Sequence, residues 1–249
     1  MKYLYFGLFL SLALFLGFMK APPFSKKLLV PCGEEKLVAL NFPELNALVS
    51  KPLRYLGHGA EAIAFATADN NYVIKFFLTQ RIFTKPNLNP FQKVRKLISI
   101  PYPPRKKEIL LSRYEQGFHT LPELTAMLAV HRYTSPEILP ECTLIDYHGV
   151  KHSLDLNKVA FVVQRKGTPL KKGTLANNRN LFDPKLHDLF TALTNKGFVN
   201  LSKGFTPKNF AILDDKAIMI DLGKLEYFPE RAHTTEQENF QRRYLKALK

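Results

Sequence analysis

One lysine interrupts a run built to be a buried strand. Residues 72–78 read Tyr-Val-Ile-Lys-Phe-Phe-Leu, and β-branched and aromatic side chains favour a pleated, packed strand. An ammonium in the middle of such a strand is costly unless an acceptor meets it. Either the fold brings a distant element onto Lys75, or its ammonium snorkels to solvent along the strand edge. Glu123 is the first candidate partner and Glu115 the second, both in stretches with helical patterning.

Residues 53–56 and 63–68 have short-strand patterning around a glycine turn, and Asp69-Asn70-Asn71 turns into the lysine strand. Antiparallel hairpin pairing is the simplest way to join these strands. Helices are expected over 106–118, with Ile109, Leu110, Tyr114 and Phe118 at helical spacing. A second is expected from the capping box Thr120-x-x-Glu123 to about Tyr133. Strands follow at 142–147 and 159–164. Asp183-Pro184 is read as the start of a third helix that ends near Gly197. Residues 210–213 and 217–221 are read as a hairpin turning at Asp214-Asp215, and Thr235 as the start of a final basic helix. A strand-rich first half and a helix-flanked second half make an α+β fold.

Residues 3–19 carry no charge and are almost wholly apolar, between Lys2 and Lys20. That length is at the short end of what spans a bilayer and just beyond a signal-peptide core. Cleavage after Ala21 would put Met19 at the −3 position and Pro22 after the cut, which is a poor site. The expectation is an uncleaved, single-pass membrane anchor in residues 1–20; a cleaved signal with a secreted body is the alternative. Residues 21–48, broken by Pro22, Pro23, Pro31 and Pro43, read as a linker, which leaves 49–249 as the folded domain.

Thirty-six Lys and Arg against 21 Asp and Glu give a net charge of +15, which favours anionic partners. Residues 81–107 hold Arg81, Lys85, Lys93, Arg95, Lys96, Arg105, Lys106 and Lys107 with no acid and several prolines. They are read as a basic surface insertion able to meet anionic lipid or a protein partner. No nucleic-acid reader motif is present, so nucleic acid is disfavoured as a partner. Only Cys32 and Cys142 occur, too few for a disulfide framework and without zinc-ligand spacing. One bridge and two buried thiols are both open readings.

Five stretches then fall in a recognisable order. Leu56-Gly57-His58-Gly59-Ala60-Glu61-Ala62 resembles the Gly-rich loop of the protein-kinase-like superfamily, and Val73-Ile74-Lys75 resembles its lysine strand. Val162-Val163-Gln164-Arg165-Lys166-Gly167 resembles its hinge. Pro207-Lys208-Asn209 resembles the end of its catalytic loop, and Ile220-Asp221-Leu222-Gly223 its Asp-Phe-Gly turn. The resemblance spans about residues 50–228. It implies a two-lobed domain, with a small antiparallel sheet lobe and a reduced helical lobe, that binds ATP and Mg²⁺. It implies nucleotide contacts from Gly57, Gly59, Lys75, Glu123 and Lys166, and metal contacts from Asn209 and Asp221. Elementary chemistry agrees. Glycines let backbone N–H groups approach phosphate, and Asn209 and Asp221 would bring two hard oxygens to one cation.

Two departures bear on activity. The position five residues before Asn209 is Gly204, where the family has its catalytic Asp, and no acid lies in residues 200–209. A missing general base costs on the order of 10²–10⁴-fold. Residues 224–249 are also too short for the family's activation segment and helical substrate platform. The expected function is therefore a membrane-anchored, degenerate pseudokinase, either nucleotide-binding or scaffolding. The alternatives are an active phosphotransferase on a small or lipid-like substrate, and an anionic-surface binder with no nucleotide role.

Overall fold

A computed structural model describes residues 24–37, 40, 42–80, 103–201, 205–231, 242 and 244. The apolar segment 3–19, most of the basic insertion (81–102) and Gly204 lie outside these residues. So does the helix expected from Thr235, apart from Arg242 and Tyr244, both helical.

The first part of the chain contributes β1 (Gly33–Leu37), a short α1 (Leu45–Val49), β2 (Leu53–His58), β3 (Ala62–Ala66) and β4 (Tyr72–Phe77). Then come α2 (Pro104–Thr120), α3 (Pro122–Thr125), β5 (Met127–His131), β6 (Tyr133–Thr134), β7 (Glu141–Ile145), β8 (Lys151–Asp155), β9 (Phe161–Arg165) and β10 (Thr168–Pro169). The remainder forms α4 (Lys172–Asn177), α5 (Arg179–Asn195), β11 (Phe198–Asn200), β12 (Phe210–Leu213), β13 (Lys216–Met219) and β14 (Leu225–Tyr227).

One seven-stranded sheet dominates, in the order β5-β9-β4-β3-β2-β7-β8. It is neither small nor wholly antiparallel, which corrects the sequence expectation. After α2, α3 and β5, the chain returns to the far edge, where β7 pairs parallel to β2 through Leu53↔Leu144 and Arg54↔Ile145. A second sheet joins β10, β12 and β13, its hairpin turning through Asp214 and Asp215 at positive φ as the sequence predicts.

Strand alternation distributes β4 between two cores. Ile74 and Phe76 face one cluster, with Leu53, Phe65 and Phe161. Phe77 faces the other, with Leu110, Tyr114, Leu189 and Phe190 from the helices. Successive side chains on a strand point to opposite faces, so Lys75 shares the helix-side face with Phe77. Phe76 and Phe77 are both fully buried, each contributing roughly 1.5–3 kcal/mol by leaving water. These burials fix the register that aims Lys75 inward.

Several expectations are corrected here. The described part of the 21–48 stretch is not a linker. Phe24, Leu29 and Val30 are buried, and Val30 exchanges backbone bonds with Phe77 and Ala160, each at 2.9 Å. Proline favours extended backbone, and an extended segment can line a sheet face without being a regular strand. The helix expected over 120–133 is only the single turn α3. Ala126 adopts a left-handed conformation at φ 54°, and Met127, Ala129 and His131 then bury alternately as a strand. Thr120 ends α2 instead of capping a new helix, its hydroxyl donating to Gln116 O at 2.6 Å. Residues 104–107 open α2 rather than closing the insertion, Pro104 filling a first-turn position that needs no N–H donor. Finally, α5 begins at Arg179, with Pro184 inside it.

Candidate functional site

A cleft of about 400 Å³ opens between the β2–β3 turn, β4, α2 and the segment after β13. Gly57, Gly59, Lys75, Asn209 and Asp221 all line it. The turn is tight: Gly59 N–H donates to Ala62 O at 2.8 Å.

Asp221 is positioned by its own backbone. The N–H groups of Ile220 and Asp221 both donate to Asn209 O, at 2.8 and 3.3 Å, which locks the two side chains to one corner. Gly223 N–H donates to Asp221 Oδ1 at 3.0 Å. The Tyr114 hydroxyl donates to the same oxygen at 3.5 Å and accepts from Leu222 N–H at 3.3 Å. Arg113 Nη1 donates to Gly223 O at 2.6 Å. Helix α2 thus holds the Asp-Leu-Gly turn at each of its three residues.

Lys75 Nζ donates to Gln164 Oε1 at 2.7 Å and to the carbonyl of Ile220. Gln164 is buried, and its Nε2 donates to the carbonyls of Thr125 and Met219. The lysine's direct acceptors are therefore neutral, and Asp221 acts on it through charge. Burial pushes the Lys75 ammonium down to about 8, against the upward pull of Asp221. Burial raises the Tyr114 phenol well above its ordinary value, with the Asp221 charge adding to it. His58, at the tip of the glycine turn, is lowered by burial and then by Lys208 across the cleft. Its Nδ1 is bonded to the Tyr55 hydroxyl at 2.6 Å.

Lys75, Lys106, Lys208 and Lys224 line the cleft against Glu61 and Asp221, a balance that favours an anionic ligand. Asn209 and Asp221 are the oxygen pair suited to a hard divalent cation. Mg²⁺ takes one or two protein oxygens and keeps water and phosphate as its other ligands. Among the described residues no cluster of three or more His, Cys, Asp or Glu could hold a metal, so such an ion would depend on its ligand's own oxygens.

Five of the seven predicted site residues thus share the cleft: Gly57, Gly59, Lys75, Asn209 and Asp221. Two do not line it. Glu123 is exposed on α3, and the chain turns away into β5 immediately after it, so it cannot partner Lys75. Lys166 follows β9 and reaches the side chain of Asn70. Glu115, the second candidate, does not line the cleft and pairs with Arg132 at 2.6 Å. The sequence reading missed Tyr114 and Gln164, which position Asp221 and Lys75, and Glu61, whose side chain borders the cleft. Tyr114 could have been found: Lys106, Leu110 and Tyr114 repeat every four residues, one helical face. Both cysteines are free, Cys142 buried, and burial pushes each thiol up to about 12. A raised thiol pKa keeps the protonated, less nucleophilic form dominant near neutral pH.

No family model and no curated protein matches the chain. Solved structures similar to it include the "ROP18 kinase domain in complex with AMP-PNP and sucrose", at 13% identity and a TM-score of 0.41 over 70% of this chain and 51% of that one. The BubR1 kinase domain is similar at 12% identity and a TM-score of 0.31, over 70% of this chain and 46% of that one. The Legionella pneumophila Lpg2603 kinase bound to IP6 is similar at 16% identity and a TM-score of 0.30, over 82% of this chain and 77% of that one. The chain spans about half the length of the first two. It is distantly similar in structure to several protein-kinase domains, and its fold is a mixed α/β one.

Proposed function

We propose that the chain is a degenerate kinase-like protein whose cleft binds ATP with Mg²⁺, held at a membrane by its apolar N-terminal segment. The convergence of Lys75 with Asn209 and Asp221 on one cleft carries this reading. Lys75 and its acceptor at Ile220 are 145 positions apart in the chain, so only a specific tertiary arrangement joins them. The fit is chemical as well. A cleft near 400 Å³ lies within the usual range for small-ligand sites. Lys75 supplies a half-buried cation, Gly57 and Gly59 carry no side chain to keep a phosphate off the turn, and Asn209 with Asp221 would hold the metal. Mg²⁺, when bound, would neutralise phosphate charge.

Two observations favour binding over turnover. No acid lies in residues 200–209. The cleft face of α2 presents Lys106, Leu110 and Tyr114 rather than a carboxylate for Lys75. Among the described residues no helix is long and apolar enough to cross a membrane, so the anchor would be residues 3–19.

Calorimetry on the full chain tests the reading. ATP with Mg²⁺ should bind to wild type and not to Lys75→Ala, with no label leaving γ-labelled ATP. Transfer of label to any acceptor, lost in Lys75→Ala, would favour the phosphotransferase alternative instead. Indifference to nucleotide would reduce the protein to a scaffold.

A further inference from the structure

We propose that Glu61 is a resident anion at the phosphate end of the cleft, closed to free polyphosphate and yielding to polyphosphate that arrives with a divalent cation. This inference rests on the nucleotide reading above and adds a selectivity to it.

The backbone of Glu61 is held on both sides. It lies within the turn closed by Gly59 N–H and Ala62 O, and its own carbonyl accepts Leu78 N–H at 2.9 Å. From that fixed point the side chain reaches both α2 and the segment after β13. One carboxylate oxygen lies 3.6 Å from Lys106 Nζ on α2. The other lies over Gly223, where a Cβ would stand 2.3 Å from it. That same Cβ would stand 3.3 Å from Asp221 Oδ1, so two carboxylates converge beside Gly223. Only glycine at 223 leaves room for this arrangement.

The charges explain the selectivity. Like charges in a partly desolvated cleft repel more strongly than in water. Here the pair is tolerated because Lys106 faces Glu61 and Lys75 faces Asp221. A bare polyphosphate would compete with Glu61 for Lys106 while adding a further anion to the two carboxylates. A polyphosphate carrying a divalent cation brings compensating charge. The Glu61 side chain retains 22% exposure, so it has a route out to solvent when a ligand enters.

The test uses inorganic tripolyphosphate as probe, titrated calorimetrically into the full chain with and without Mg²⁺. Wild type should bind the metal-free probe at least about tenfold more weakly than the Mg²⁺ form. Glu61→Gln should strengthen metal-free binding about tenfold and change Mg²⁺-dependent binding little. Gly223→Ala evicts the same carboxylate without removing a charge and should shift metal-free binding in the same direction. Equal metal-free affinity in wild type and both variants overturns the gate while leaving nucleotide binding standing. So does loss of Mg²⁺-dependent binding in Glu61→Gln, because Glu61 would then be a ligand rather than a barrier. If neither ATP nor tripolyphosphate binds any of the three proteins, the nucleotide reading itself fails and the gate with it.

Discussion

Lys75 Nζ donates a 2.7 Å hydrogen bond to Gln164 Oε1, its diagonal neighbour on the adjacent strand. The strand lysine thus meets a neutral amide where a carboxylate was expected. Gln164 is itself pinned by the carbonyls of Thr125 and Met219, so the lysine's position is set by three elements at once. A neutral acceptor satisfies the ammonium's geometry without offsetting its charge, and the anion that acts on it is Asp221.

A pH dependence follows. Burial lowers Lys75 from its ordinary 10.5 to about 8. Between those values the unfolded chain binds the proton and the folded chain does not, so this group's contribution to apo stability rises with pH across that window. Anion binding runs the other way, since it needs the ammonium. ATP affinity in wild type should fall as pH rises through about 8, while Lys75→Met should bind weakly at every pH from 7 to about 9. Calorimetry at stepped pH measures both; a flat wild-type profile would remove Lys75 from the ligand's contacts.

Tyr114→Phe should cost about 1–3 kcal/mol of stability, because it leaves the buried Leu222 N–H without its acceptor. It should also loosen Asp221, which loses one donor, and so weaken Mg²⁺-dependent ATP binding. Urea unfolding and calorimetry on the same variant read the two effects. Unchanged stability would mean that the phenol only fills space.

Gly167→Ala should destabilise the protein by roughly 1–3 kcal/mol. A Cβ there would lie 2.9 Å from both Ala211 Cβ and Ile212 O. One of those atoms is backbone in the β10–β12–β13 sheet and cannot swing aside. Thermal melts should separate it clearly from Gly57→Ala, where a Cβ meets nothing within 4 Å.

Asp146 provides an acid-sensitive tie for the N-terminal segment. Burial alone would raise its carboxyl, but the His152 hydrogen bond at 2.9 Å and the N–H groups of His148 and Val150 outweigh it and hold it below the ordinary 3.8. His152 in turn packs edge-on to Phe24. A carboxyl lowered in the folded state stabilises above its unfolded value and loses that contribution as pH falls through its folded value. Asp146→Asn should therefore cost about 1–3 kcal/mol near neutral pH, and the gap to wild type should close below about pH 4. Denaturant unfolding at stepped pH checks this; a gap that stays constant into acid contradicts it.

Local pattern was enough to read β2, β3, β4, α2 and the β12–β13 hairpin, because each carries its own signal. Strand alternation, an apolar helical face and the Asp214-Asp215 turn are all set within a few residues. The same rules misread residues 120–133. The capping signature and Pro122 promise a helix, and they do give one turn. What ends it is the left-handed Ala126, stabilised by the β5–β9 pairing that follows, a long-range contact with no local trace. The proline-rich stretch before residue 49 was misread for a related reason. Proline excludes regular helix, but it does not prevent an extended segment from covering an apolar sheet face.

Lys75 itself marks the boundary between what sequence and tertiary structure each decide. The run around it dictates a buried strand, and the cost of burying an ammonium dictates that some acceptor must come to it. Which acceptor comes is a matter of packing. β9 carries Gln164 in, the segment after β13 brings the Ile220 carbonyl and Asp221, and α2 turns Tyr114 rather than Glu115 toward them. Those choices rest on sheet order and helix rotation, which depend on contacts between residues far apart in the chain, and no local pattern encodes them.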